Sequence, residues 1–119
     1  DFAYDSGLLA TRELLDLDHP PTAIFATTDD MAAAVVSEAH RRGLVIPADL
    51  AIAGFDDTPI AVKIWPRLTT VRQPIADISE LATRRAIEAI RAGNNAELKT
   101  PTTTHVPFSI VERESTIQI

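Results

Sequence analysis

Residues 50–57 read Leu50-Ala51-Ile52-Ala53-Gly54-Phe55-Asp56-Asp57, a short apolar run stopped by two carboxylates. Such a run, with no polar alternation, fits a strand buried on both faces, the habit of parallel sheets. Upstream, Ala23-Ile24-Phe25-Ala26 is a second run of the same kind. The sequence between them is helical in period, because Ala32, Val35, Val36 and Ala39 fall at i, i+3, i+4 and i+7, on one helical face. Thr28 is an N-cap type, and Asp29 and Asp30 occupy the first turn, where the helix dipole favours negative charge. Arg41 and Arg42 fill the last turn and Gly43 takes the position after it, so start and stop signals agree on a helix over 29–42.

Working outward, residues 5–17 read as a helix with Asp5 and Ser6 as capping types and an apolar stripe of Leu8, Leu14, Leu15 and Leu17. Pro20 and Pro21 end it, since proline cannot continue the hydrogen-bonding pattern. Downstream, Thr58-Pro59 reads as a cap and first-turn pair opening a short helix to Ile64. Leu68 to Arg72 is a β-rich third strand. The longest helix starts at Pro74 or Ile75 and runs to Ala92, with Glu80 and Arg84 spaced to pair. A polar loop follows over 94–104, then a strand over 106–111, which Pro107 places at an edge. The order α-β-α-β-(α)-β-α-β predicts an α/β fold, a three-layer αβα arrangement around a mostly parallel sheet.

Composition bounds the chemistry. The chain has 119 residues, a net charge of −6 and no cysteine. Disulfides, thiolate catalysis and cysteine metal sites are therefore excluded. No apolar run approaches the roughly 18 residues of a membrane span, and the acidic balance argues against this stretch gripping nucleic acid, which needs clustered Lys and Arg. The chain opens mid-pattern at Asp1, which reads as a fragment of something longer. His19, His40 and His105 lack metal-ligand spacing, no P-loop, G-x-G-x-x-G or G-x-S-x-G occurs, and no serine has a base nearby in sequence. No catalytic residue, metal site or cofactor is expected.

In open parallel sheets ligands bind beyond the carboxyl ends of the strands. Two segments qualify, Thr27-Thr28-Asp29-Asp30 and Gly54-Phe55-Asp56-Asp57-Thr58. Asp29 and Asp30 read as helix-start residues, and Asp57-Thr58-Pro59 likewise. Asp56 is open to two roles, a structural one or a carboxylate accepting hydrogen bonds from ligand hydroxyls. Trp65, before Pro66, reads as packed or covering an interface.

Several stretches occur together in a telling order: Asp1-Phe2 with Ser6-Gly7, Pro21-Thr22-Ala23-Ile24-Phe25, Asp29-Asp30-Met31-Ala32-Ala33, residues 43–50, Gly54-Phe55-Asp56-Asp57, residues 68–74 (Leu-Thr-Thr-Val-Arg-Gln-Pro) and the closing Arg113-Glu114-Ser115-Thr116. The series resembles the effector-binding domain of LacI/GalR-type bacterial transcriptional regulators over nearly the whole chain. The resemblance implies a type I periplasmic-binding-protein-like fold. In it, residues 1–72 form most of the C-terminal subdomain, and residues 73–119 supply a crossover helix and a strand returning to the N-terminal subdomain, then a tail.

It further implies a small-molecule effector, a sugar or related polar metabolite, held by Phe2 through ring stacking and by Asp56 as the hydroxyl-accepting carboxylate. Thr28 falls where some members use Asn, and Ile75 and Ile78 fall on an apolar wall. Leu8, Ala33, Ser37, Lys63 and Ile64 match the family's homodimer surface, although the same positions read equally as plain surface. The implied protein is a cytoplasmic, non-enzymatic regulator whose effector allosterically controls operator DNA binding by an N-terminal helix-turn-helix outside this stretch. Two alternatives stay open. A periplasmic sugar-binding protein shares the fold. A phosphoacceptor receiver domain shares the length and strand-end aspartates, but here a helix comes first, the carboxylates come in two pairs, and Lys99 sits in a polar loop.

Overall fold

The computed structural model describes residues 3–92 and 103–116. In chain order the elements are α1 (Tyr4–Leu15), β1 (Ala23–Phe25), α2 (Asp29–Arg41), β2 (Ala51–Phe55), a 3-10 helix (Pro59–Val62), β3 (Thr69–Arg72), α3 (Ile75–Ala92) and β4 (Ser109–Val111). The strands form one sheet in the order β1-β2-β3-β4. The first three are parallel, with Ala23 beside Ala51 and Ala53 beside Thr69. The α/β class and the mostly parallel sheet are as the sequence predicts.

The chain divides into two units, one of residues up to Arg72 together with those from Ser109 onward, the other of residues 73–108. The strand expected over 106–111 is shorter, and its placement is corrected. It pairs antiparallel with β3, setting Thr70 against Val111 and Arg72 against Ser109, and so belongs to the first unit rather than travelling with the crossover helix. The open edge of β3 supplies its backbone partners, and the tail behind it is tied into the same sheet. Ser115 is fully buried, its Oγ donates to the Ile52 carbonyl, and the Thr69 N–H donates to that Oγ at 2.8 Å.

α2 is the spine of the first unit. The Met31 N–H donates to Thr28 Oγ1 at 3.2 Å, which makes Thr28 the N-cap. At the other end Gly43 has φ +75°, its N–H donates to the His40 carbonyl, and the Leu44 N–H donates to the Ala39 carbonyl. That pair of bonds is the Schellman closure that a glycine after the helix permits. The predicted face of Ala32, Val35, Val36 and Ala39 is buried against Leu50, Ile52 and Leu68. Burying each of these larger aliphatic side chains is worth about 1.5–3 kcal/mol.

α1 packs on α2, and of the expected leucine stripe Leu15 packs against the core while Leu8 is half-buried. Its buried residues are Gly7 and Thr11, while Leu14 and Leu17 are exposed. A Cβ on Gly7 would stand 3.0 Å from Met31 Cα, so the helix backbones meet where side chains are smallest. Ala3, not Asp5 or Ser6, occupies the N-cap position. Behind this contact lies a fully buried carboxylate. Glu38 accepts from Arg12 Nε at 3.2 Å, from Arg42 Nε at 2.8 Å and from Arg41. The hydrogen bonds from Arg41 and then Arg42 hold its carboxyl far below the usual carboxylate range, against the opposing effect of burial.

In β2 the residues alternate, Ile52 and Gly54 being buried and Ala51, Ala53 and Phe55 half-buried. Phe25 and Ile110 are exposed. The second unit contributes α3, an amphipathic helix with the predicted Glu80–Arg84 pair.

Candidate functional site

Three parallel strands in register bring their carboxyl ends to one edge of the sheet. Thr28 follows β1, Asp56 and Asp57 follow β2, and Arg72 closes β3. At this edge the chain after β2 turns sharply. The Asp56 N–H completes the ladder by donating to the Val71 carbonyl at 2.9 Å. Asp56 then has φ +104° and Asp57 φ +53°, two consecutive non-glycine residues in left-handed backbone. Such residues persist only where their surroundings hold them.

Two carboxylates do the holding. Asp29 is fully buried. Its Oδ2 accepts from the Thr58 N–H at 2.6 Å and the Thr58 hydroxyl at 3.1 Å, and its Oδ1 accepts from the Thr70 hydroxyl at 2.6 Å. It thus joins the start of α2 to the loop after β2 and to β3. Gly54 makes room for it, because a Cβ there would lie 2.5 Å from Asp29 Oδ1. The Thr58 hydroxyl is spent on Asp29, so Thr58 sits at the cap position of the 3-10 helix without a side-chain capping bond.

Asp57 is the second. Its side chain is 9% exposed, and Arg113 Nη2 donates to Oδ1 and Arg72 Nε to Oδ2, each at 2.6 Å. The Asp57 N–H donates to Thr70 Oγ1 at 3.3 Å. Burial alone would push the Asp57 carboxyl up, but the bonds from Arg113 and Arg72 outweigh it and leave the carboxyl below its ordinary value. Asp57 is therefore more than the helix start the sequence suggests.

Thr28 and Asp56 stand after adjacent strands, both half-buried. The Thr28 hydroxyl serves α2 as its cap. Phe2 lies outside the described residues. Ile75 and Ile78 lie in the first turn of α3, in the second unit, both exposed. Of the expected dimer residues, Ala33, Ser37 and Ile64 line one open groove of about 510 Å³, together with Tyr4, Ile60 and Trp65. Leu8 is half-buried and Lys63 exposed, and neither lines it. Trp65 is 74% exposed beside this groove, so it does not pack into the unit's own core.

Sequence reasoning missed Arg72 and Arg113 as partners of Asp57, and Asp29 as a buried junction. One signal was available for Arg72, since the ends of adjacent parallel strands must share an edge. Among the described residues no cluster of three metal-ligating side chains occurs, and no helix is long and apolar enough to cross a membrane.

The comparisons agree with this architecture. The model of the periplasmic binding protein-like domain matches residues 2–116. Catabolite control protein A of Priestia megaterium is 41% identical over 116 residues, covering 98% of this chain and 34% of that protein. The chain thus spans about a third of the length of such curated relatives. Among solved structures, a LacI-family transcriptional regulator from Enterococcus faecium with bound ribose superposes with a TM-score of 0.79 at 28% identity, over 98% of this chain and 41% of that one. The complex of the transcriptional regulator CelR with cellobiose gives 0.77 at 34% identity, over 97% and 34%. The chain belongs to the periplasmic-binding-protein-like domain family, in the form that serves LacI/GalR-type transcriptional regulators as their effector-binding domain.

Proposed function

We propose that this chain is the effector-binding and dimerisation portion of a regulator that takes a small sugar or a related polar, ring-bearing metabolite. The observation that carries the reading is Asp56, a half-buried carboxylate at the carboxyl end of β2, on a left-handed turn braced from both sides. Ionised carboxylates accept up to four hydrogen bonds, which suits the adjacent hydroxyls of a sugar. On this reading Thr28, after the neighbouring strand, adds a short polar contact, and the family resemblance gives Phe2 the stacking role. The sugars carried by the E. faecium and CelR structures support this ligand class.

The groove lined by Ala33, Ser37 and Ile64, with Trp65 exposed at its side, is the proposed dimer surface. Small residues let helices approach closely, and a large exposed aromatic gains most from being covered. Effector binding in the dimer biases the arrangement of two DNA-reading headpieces supplied by other parts of the full-length protein, and so couples sugar to operator. No turnover of the ligand is expected. The test is operator retention by the full-length protein in gel shift, with and without a panel of pentoses, hexoses, disaccharides and nucleosides. One class of sugar should change retention; indifference to every member contradicts the reading.

A further inference from the structure

Asp56 and Asp57 are neighbours in sequence at the turn that follows β2. Asp57 is anchored at three points, by Arg113 on one carboxylate oxygen, by Arg72 on the other, and by its own N–H on Thr70. The inner anchor is itself fixed. Arg113 Nη1 donates to the Leu68 carbonyl at 2.7 Å, and the Arg113 N–H donates to Thr69 Oγ1 at 2.8 Å. Exposure grades the two arginines, since the Arg113 side chain is 13% exposed and the Arg72 side chain 57%. The two also come from distinctive places. Arg72 is the last residue before the chain leaves the first unit, and Arg113 follows β4 soon after the chain has returned.

We propose that Asp57 is a positioning residue for ligand binding, its ion triad with Arg72 and Arg113 locking the left-handed pair Asp56–Asp57 in the form that presents Asp56. The inference rests on the proposed ligand role of Asp56. Left-handed backbone at two consecutive non-glycine residues is uphill, so the loop needs an external restraint. Charge-assisted bonds to both carboxylate oxygens from separate segments supply one in two directions. Asp57 acts through the backbone it shares with Asp56, without touching the ligand. Because its partners flank both passages of the chain between units, ligand affinity becomes sensitive to how those passages are tied.

The test uses the full-length protein, with ribose and cellobiose as probes in isothermal titration calorimetry and amide hydrogen exchange read over residues 54–58. Asp57→Asn keeps the size and tolerates left-handed φ while removing the charge. It should weaken sugar binding about tenfold, the scale of a lost charge-assisted bond, and speed exchange over 54–58 with the rest of the unit unchanged. A folded D57N protein that binds within twofold of wild type, with unchanged exchange, overturns the proposal. Should D57N fail to fold, the exposed partner decides. Arg72→Gln should weaken binding about threefold with little change in melting temperature, as expected for a surface pair, and Arg72→Lys should restore it. Equal binding by both overturns the proposal. Asp56→Ala separates the two levels. If it binds like wild type, the ligand reading fails; if it loses binding while D57N retains it, only the positioning role fails. Where neither sugar binds wild type, faster exchange over 54–58 in ligand-free D57N supports the lock, and unchanged exchange overturns it.

Discussion

Gly54→Ala adds one methyl group where the structure has no room for it. The new Cβ would lie 2.5 Å from Asp29 Oδ1, 2.8 Å from Leu68 Cδ2 and 3.2 Å from Ala32 Cβ. Leu68 and Ala32 are core residues with no exposure. Asp29 cannot swing aside, because its two oxygens hold Thr70, the Thr58 N–H and the Thr58 hydroxyl. Overpacking a tight core costs about 1–3 kcal/mol, and disrupting one hydrogen bond to a buried carboxylate adds about 1.5–3 kcal/mol. The smaller conformational freedom of alanine in the unfolded chain returns about 0.4–1 kcal/mol. The net loss from these ranges is about 1.5–5.6 kcal/mol, with a central value of about 3.5 kcal/mol. At about 4–8 °C per kcal/mol for a unit of this size, the central value lowers the midpoint by roughly 14–28 °C. Thermal unfolding followed by far-UV circular dichroism measures it. A double-mutant cycle with Asp29→Ala tests the cause, since the two losses should add to less than their sum if the methyl group acts through Asp29. A midpoint within about 3 °C of wild type, small beside that estimate, or full additivity, would refute the reasoning.

Acid should destabilise the protein in a particular way. Glu38 and Asp57 both have carboxyls below their ordinary values in the folded chain, so the stability they give is complete above the unfolded carboxylate range and is lost progressively as pH falls from about 5 down through their lower folded values. The Glu38→Gln variant should melt lower at pH 7 and show a shallower fall between pH 7 and pH 3; an equal slope would contradict the assignment. Trp65→Ala should weaken self-association by at least about 30-fold, the effect of about 2 kcal/mol expected of an interface anchor. Sedimentation equilibrium measures the constant, and an unchanged value would count against the groove as the dimer surface.

How far the sequence speaks depends on how local the signal is. The boundaries of α2 are legible because Thr28 and Gly43 act on backbone groups within a few residues of themselves. The buried helix face and the strand β2 follow from periodicity, which is also local. The strand-end position of Asp56 is legible, since parallel strands place their ends on one edge. Asp29 is not, because the partners that change it from a helix-start residue into a buried junction lie at Thr58 and Thr70. Asp57 looks like a helix start until Arg72 and Arg113 arrive from distant segments. The placement of β4 depends on which edge is open, a property of the assembled sheet. Of the predicted α1 stripe, Leu15 packs on the core but Leu14 and Leu17 are exposed, because hydrophobicity alone does not say that two helices will meet at Gly7. Phe2 falls outside the described residues.

Asp56 is the carboxylate proposed to grip the ligand's hydroxyls. Isothermal titration of the sugar panel into the full-length protein, wild type against Asp56→Ala, tests this most directly. Wild type should bind at least one sugar, and the variant, folded by circular dichroism, should bind it at least about 100-fold more weakly, as expected when more than one charge-assisted hydrogen bond is removed. Equal affinity in a folded variant would contradict the account.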